Sequence, residues 1–439
     1  ATGLVATCRV SHATPAAYAS HVHDRGMEDD IAEQMVYQGI DVVFGGGTRH
    51  LIPANATYQT SFGDTWNGAR ADGENLLNRL QSRGYSFADS RDSMQQVSTA
   101  PAWGLFAESH PVPDIDRDDL YPTQPSLAEM TEKAIELLDQ KEHGFFLMVE
   151  GSQVDWAGHA NDAAYMVREF LAFDEALGKV LAFARRAPDT LVIIAPDHNT
   201  GAFSIGHGHS SFPPSGAATS IEAVIGPVKN ATMTLRTLLN RIAAAGRTPD
   251  GSNPVTTEIV RQSFAEYYGP YWTRHMTDTH AQFIADSLNA AVEEGAGAVH
   301  YSVADYLNRS LTCYGWTTHS HTGEDVPLWS FGPIPVTGTL DNTDLARVCA
   351  SALGVDLPLL TQALYVDAKT TFPDGTVDLT DPANPVAVLN GARLPVNKDF
   401  VDLPDGRRQE LPGIVVYAPQ IDTVYIPRQV CDIIAAAGK

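Results

Sequence analysis

Two uninterrupted apolar runs, Phe145–Val149 and Leu191–Ala195, constrain this chain more than any other feature, because each ends in residues that carry chemistry. The first runs into Glu150 and the second into Asp197-His198. Apolar runs without alternation are the mark of strands covered on both faces. Between them an amphipathic stretch extends from about Asp162 to Ala187 and predicts a long helix. Strand, helix, strand is the unit of a parallel sheet, and ligands in open α/β sheets gather at the carboxyl ends of the strands.

The same alternation recurs elsewhere. Asp41-Val42-Val43-Phe44 is a short strand running into Gly45-Gly46-Gly47. Ser126-Leu127-Ala128-Glu129 is a capping box, and the helix it opens carries Leu127, Met130, Ala134, Leu137 and Leu138 at core-facing spacing. Residues 326–331 and 343–353 predict another strand and helix. The fold class expected is α/β, with a mainly parallel central sheet and helices on both faces. Within one domain spanning 1–439, residues from about 201 to 310 read as a helical and loop insertion. Residues from about 356 to 439 read as a C-terminal region of edge strands near the site or a subunit interface. The first residues, ATGLVATCRV, look like the middle of a buried strand, which predicts an N-terminally incomplete chain.

Composition narrows the function. With 439 residues and 44% hydrophobic content, the chain can bury a large core. No run of about 18 apolar residues occurs, so no membrane span is expected. The 29 basic and 53 acidic residues give a formal net charge of −24, which disfavours nucleic acid and anionic membranes as partners. An anionic substrate would be repelled at long range and must be held by local cations. Four cysteines, Cys8, Cys313, Cys349 and Cys431, show no CxxC spacing; free thiols and disulfides both remain open.

The segment Glu150-Gly-Ser-Gln-Val-Asp155-Trp156-Ala-Gly-His159 is the strongest motif. Asp155 and His159 are four apart, so one helical turn puts both on one face, able to grip one metal. Glu150 brings a hard carboxylate to the same strand end, suited to magnesium. Asp197-His198 adds a second pair, and Thr318-His319-Ser320-His321-Thr322-Gly323 a third histidine-bearing loop. Alone, the first segment reads equally as a surface Asp–His pair, while an isolated Asp-His pair reads better as a helix cap beside a chance histidine and a lone histidine better as structural. Three separate strand-end sites of Asp, His and Glu are hard to explain that way. Ser11-His12-Ala13-Thr14-Pro15, with Arg25 downstream, completes the set, since arginine grips phosphate with a bidentate fork.

Together, ATGLVATCRVSHATPAAYASHVHDR, GFFLMVEGSQVDWAGHANDAA, DTLVIIAPDH and HSHTGEDVP resemble the bacterial alkaline phosphatase family, in the family's own order. The resemblance implies a three-layer sandwich that hydrolyses phosphate monoesters with two Zn2+ and one Mg2+ through a phosphoserine intermediate. It implies Asp155, His159 and His321 at the first zinc, and Asp197 and His198 at the second. Glu150, Thr14 and His12 would form the magnesium site, His12 standing where some members carry aspartate. Arg25 would clamp the phosphate. Trp156 would shape the pocket where other members carry a basic residue or histidine. Inorganic phosphate as product, a homodimer and a periplasmic or secreted location follow from the same resemblance.

The catalytic serine and a bridging aspartate of the family belong N-terminal to the block that begins here at Ala1. Ser11, Ser152 and Ser320 sit inside matched blocks at non-nucleophile places. A truncated zinc-binding protein without activity is therefore the first alternative, and a related sulfatase or phosphodiesterase the second.

Overall fold

The computed structural model describes residues 1–206, 221–246, 254–291 and 299–437. Five parallel strands form the main sheet, in the order Ser86–Ala88, Ala102–Leu105, Val42–Gly46, Thr2–Arg9, Phe146–Glu150. Successive residues of a strand face opposite sides, and the core divides accordingly. Leu4 and Val43 point to one face, against Ile31, Met35 and Val36 of the helix Glu28–Gln38. Val5, Val42 and Phe44 point to the other, against Ala134, Leu137 and Leu138 of the helix Leu127–Leu138 and Ala176 of the helix Ala163–Arg186. Burying each large apolar side chain contributes about 1.5–3 kcal/mol, so the sheet is held from both sides. The expected three layers are present, and the capping box is formed: Glu129 N–H donates to Ser126 Oγ at 3.2 Å, and Ser126 N–H to the Glu129 carboxylate at 2.7 Å.

The strand Phe146–Glu150 ends the main sheet. The strand Val192–Ile194 pairs instead with Trp329–Phe331, antiparallel, in a separate two-stranded sheet. Trp329, Phe331 and the leucines 357, 359, 360 and 364 of the helix Leu357–Leu364 stay exposed, an apolar surface of the kind that ordinarily packs against further protein.

Of the expected insertion at about 201–310, residues 207–220, 247–253 and 292–298 lie outside the described residues. Its described helices pack around a second apolar cluster that includes Leu238, Ile242, Phe264, Trp272, Ile284 and Leu307. Buried carboxylates tie this cluster to the helices that cover the sheet. Asp162, N-cap of the Ala163–Arg186 helix, accepts from Leu235 N–H at 2.7 Å, and Asp116 accepts from Thr234 N–H at 2.8 Å.

The C-terminal region departs from its expected role as edge strands. Residues 365–427 form two antiparallel sheets of their own, of five and three strands, around their own apolar cluster. The cause is local: Val386–Leu389 and Ala392–Pro395 are joined by Asn390-Gly391 with φ of 50° and 83°, the backbone of a two-residue hairpin turn. Residues 438–439 lie outside the described residues. All four cysteines are free thiols, Cys8 and Cys313 buried.

Candidate active site

Three segments that are remote in sequence meet beyond the end of the strand Phe146–Glu150. After Glu150 the chain turns into the short helix Gln153–Ala160, which carries Asp155 and His159 on one face; His159 Nε2 lies 3.5 Å from Asp155 Oδ1. After Val192–Ile194 come Asp197 and His198, then Asn199–Thr200, which pairs antiparallel with His321–Thr322. This ladder delivers His321, whose Nε2 stands 3.7 Å from the same Asp155 oxygen. The His198 and His321 rings stack with centroids 3.6 Å apart, and His159 lies 5.1 Å from His321. Ligand atoms of Asp155, His198 and His321 all fall within 4.8 Å of one another.

The donor set suits a divalent cation. One carboxylate faces three imidazoles, the chemistry zinc selects. His159 Nδ1 is 2.6 Å from the His319 carbonyl, so Nδ1 carries the proton and Nε2 offers its lone pair toward Asp155. Thr200 Oγ1 donates to Asp155 at 2.5 Å and stands 3.2 Å from His198 Nδ1. His198, grouped in sequence with Asp197 alone, lies against His321 and Asp155. The Asp197 side chain is 71% exposed, 3.2 Å from His198 Nε2. Among the described residues one other acidic group could hold a metal, Glu33, Asp72 and Glu74, but the Lys398 ammonium already sits against Glu33 and Glu74.

Glu150 sits apart from the histidines, on the strand end beside Cys8 of the strand Thr2–Arg9. Its carboxylate accepts from Ser152 Oγ at 2.8 Å, from the Cys8 thiol at 3.6 Å and from the Thr14 hydroxyl. Burial pushes the Glu150 carboxyl above its usual range, and the charge of Asp197 adds to the push. Burial and the nearby Glu150 together raise the Cys8 thiol.

His12 caps the N-terminal end of the helix Ala13–Ala19. Its Nε2 lies 3.0 Å from Arg25 Nη2. Burial, then the charges of Arg25 and Arg9, hold His12 below the ordinary histidine range and favour the neutral ring, which can accept from the guanidinium. Trp156 approaches edge-on, 5.8 Å from His12. Sequence reasoning missed a third ring here. His110 packs 4.5 Å from Trp156 and 5.4 Å from His12, its Nδ1 accepting the Arg9 N–H at 3.1 Å. Burial and Arg9 push its pKa down to about 3. It lies five residues beyond the strand Ala102–Leu105, so the strand-end rule that found Glu150 could have found it. Thr200 and Asp305, which contact the site residues, carried no motif of their own, and His319, inside the 318–323 loop, carried no role distinct from His321.

Residues 1–355 match the alkaline phosphatase family, and the chain belongs to it. It is 34% identical to alkaline phosphatase 3 of Bacillus subtilis over 369 residues, covering 82% of this chain and 69% of that protein. It is 30% identical to the repressible alkaline phosphatase of Saccharomyces cerevisiae over 405 residues, covering 85% and 68%. The crystal structure of Thermus thermophilus alkaline phosphatase superposes with a TM-score of 0.65 at 27% identity, covering 81% of this chain and 71% of that one. The cold-active alkaline phosphatase of a Shewanella species does so with a TM-score of 0.63, also at 27% identity, covering 80% and 75%. The chain thus spans about two thirds of the length of these curated relatives, 69% and 68%.

Proposed function

We propose that this chain forms the metal and phosphate-binding part of a phosphomonoesterase. The observation that supports it is the convergence of Asp155, His159, His198 and His321 from three separate segments onto one spot. In this reading Asp155, His159 and His321 hold one zinc ion, Asp197 and His198 a second, and Glu150, Thr14 and His12 a magnesium ion. Bound there, the metals would supply Lewis-acid stabilisation to the attacking and leaving oxygens of phosphoryl transfer.

The chain's own residues do the rest. Arg25, oriented by its contact with His12, presents a guanidinium that can fork two non-bridging phosphate oxygens. His12, with its pKa held low beside that guanidinium, adds no competing positive charge, and its one ring lone pair, turned to Arg25 here, would turn to the magnesium ion once that ion is bound. Trp156 and His110 pack edge-on beside His12 and shape that side of the site. Thr200 and the His319 carbonyl keep Asp155 and His159 aimed at one point. Because the chain is strongly acidic, this local cation set must supply the attraction that the protein as a whole opposes.

Two serines near the site are already engaged: Ser11 Oγ donates to Glu28, and Ser152 Oγ to Glu150. The phosphoserine intermediate belongs to this proposal, and these two contacts leave neither Ser11 nor Ser152 as its nucleophile. Inorganic phosphate as product, a periplasmic or secreted location and a homodimeric assembly belong to the same proposal. No described helix is long and apolar enough to cross a membrane.

The test measures bound zinc and the hydrolysis of an aryl phosphate, a phosphate diester and an aryl sulfate by the protein. Monoester turnover that disappears in His321→Ala, together with one zinc, supports the proposal. Preference for the diester or sulfate overturns it. Zinc binding without hydrolysis would instead select a non-catalytic metal-binding role.

A further inference from the structure

His159 and His319 are cross-linked by two reciprocal hydrogen bonds. His159 Nδ1 reaches the His319 carbonyl at 2.6 Å, and His319 Nδ1 reaches the His159 carbonyl at 2.8 Å. The His319 ring is in turn gripped by one helix of the inserted region, His300–Leu311. Asp305 Oδ1 meets His319 Nε2 at 3.0 Å, and the Tyr301 ring packs edge-on at 4.9 Å. Asn308 of the same helix donates to the carbonyl of Asn161, the residue that ends the His159 helix, at 2.8 Å. Tyr301, Asp305 and Asn308 are spaced four and three apart, so a single face of the helix makes all three contacts. Asn161 closes the arrangement: with its amide oriented to donate, it bridges the carbonyls of Gly158 and Thr318 at 2.8 and 3.0 Å.

We infer that Asp305, acting through His319, is a positioning residue for His159, and that the helix His300–Leu311 is the clamp that makes the metal site rigid. The inference rests on the proposed role of His159 as a metal ligand. The physical reason is the two freedoms of an imidazole. A histidine can rotate about its ring axis and can move its proton between nitrogens, and either change turns the Nε2 lone pair away from a metal. A carbonyl fixed opposite Nδ1 removes both. That carbonyl belongs to His319, in the loop that also delivers His321, so its position matters twice. The loop has little apolar anchorage of its own, and the His319 ring, held by Asp305 and Tyr301, supplies it. None of these clamp residues needs to touch metal or substrate.

The experiment uses cobalt(II) as a probe metal on the chain as it stands, because its visible absorption reports ligand geometry without any turnover. Wild type, His159→Ala, Asp305→Ala, Asp305→Asn and His319→Ala are titrated with cobalt, and the melting of each metal-free form is recorded. The part of the spectrum that His159→Ala removes marks the site. Asp305→Ala is expected to shift that same part and to weaken cobalt binding by about 10- to 100-fold, the usual effect of losing an outer partner of a metal-binding histidine. Asp305→Asn, which keeps an acceptor oxygen, should restore most of the affinity. The Asp305 side chain is 43% exposed, so its truncation opens no core and should leave metal-free melting unchanged. Wild-type affinity and spectrum in both Asp305→Ala and His319→Ala would overturn the inference. So would an affinity loss that tracks a fall in metal-free melting and is not restored by asparagine. Absence of cobalt binding in wild type would instead overturn the metal-site proposal on which it stands.

Discussion

Thr200 and His321 are directly opposed residues of one short antiparallel ladder, and Thr200 gives its hydroxyl to the carboxylate that His321 faces. The backbone pair sets where His321 stands; the side chain sets where Asp155 points. Thr200→Val keeps shape and strand propensity but removes the donor. We expect metal affinity to fall by about 10-fold and stability by about 1 kcal/mol for the lost buried hydrogen bond. Thr200→Ser, which keeps the hydroxyl, should bind nearly as wild type. Zinc release to a competing chelator, measured for both variants, checks this. Equal release from valine and wild type would show that Asp155 is oriented without Thr200.

Arg25 has one defined partner at the site, His12, 3.0 Å away. A fork on phosphate involves two charge-assisted hydrogen bonds, each worth about 1.5–3 kcal/mol. Arg25→Ala should therefore weaken inorganic phosphate binding by at least about 10-fold, at 1.4 kcal/mol per tenfold. Arg25→Lys should recover only part, since an ammonium cannot fork. Calorimetric titration of the metal-loaded protein with phosphate gives the numbers. An unchanged dissociation constant in Arg25→Ala would remove Arg25 from the phosphate site.

Much of this geometry was visible in the residues. Glu150 and Asp197-His198 stood out because each follows an apolar run. Both runs are strands, but most of their residues are only half-buried and Val192–Ile194 lies outside the main parallel sheet. The spacing of Asp155 and His159 matched the helical turn that carries them. What sequence could not give was pairing across the fold. His198 stacks on His321 only because Asn199–Thr200 and His321–Thr322 align in one register across about 120 residues of chain, a result of tertiary packing that no local pattern encodes. Asp305 is the same case, since its partner His319 is fixed by where a helix docks. The C-terminal sheets are different. Asn390-Gly391 between the apolar run 386–389 and 392–395 is a strong local hairpin signal, and it belongs to a sheet that the C-terminal residues form among themselves rather than to edge strands.

Glu169 makes the protein's stability depend on pH. It is buried in the helix Ala163–Arg186, where its carboxylate accepts the Asp114 N–H at 2.6 Å. Burial, with Asp114 and Asp116 nearby, pushes its pKa up to about 8. An unfolded chain releases the same proton near about 4.3. Between those values the folded state holds a proton that the unfolded state has lost, so this group's contribution falls as pH rises, and above about 8 the fold carries a buried charge. Glu169→Gln keeps the acceptor oxygen and cannot ionise. Its stability relative to wild type should rise from pH 5 to about pH 8, reaching several kcal/mol, and level off above that, as melting temperatures across the range would show. Parallel melting curves across that range would mean that Glu169 ionises in the fold as easily as in water.

Lys398 ties the C-terminal sheets to the helix Glu28–Gln38 that covers the main sheet. Its ammonium lies 2.7 Å from the Glu33 carboxylate and also against Glu74, which in turn accepts from the Tyr37 hydroxyl at 2.6 Å. Burial pushes Glu33 up to about 7 even with the lysine in place, while the two carboxylates hold Lys398 above the ordinary lysine range. Removing one partner of a buried pair leaves the other charge stranded, at a cost of about 3–5 kcal/mol. Lys398→Met fills similar volume but supplies no charge, so Glu33 must either stay ionised without a partner or take up a proton. The penalty should therefore be largest at pH 9 and shrink toward pH 5, where Glu33 is already protonated in the fold. The double variant Lys398→Met/Glu33→Gln should recover part of the loss at pH 9. Denaturant unfolding of the three proteins at the two pH values separates these terms, and a penalty that does not change with pH would show that the lysine contributes by packing alone.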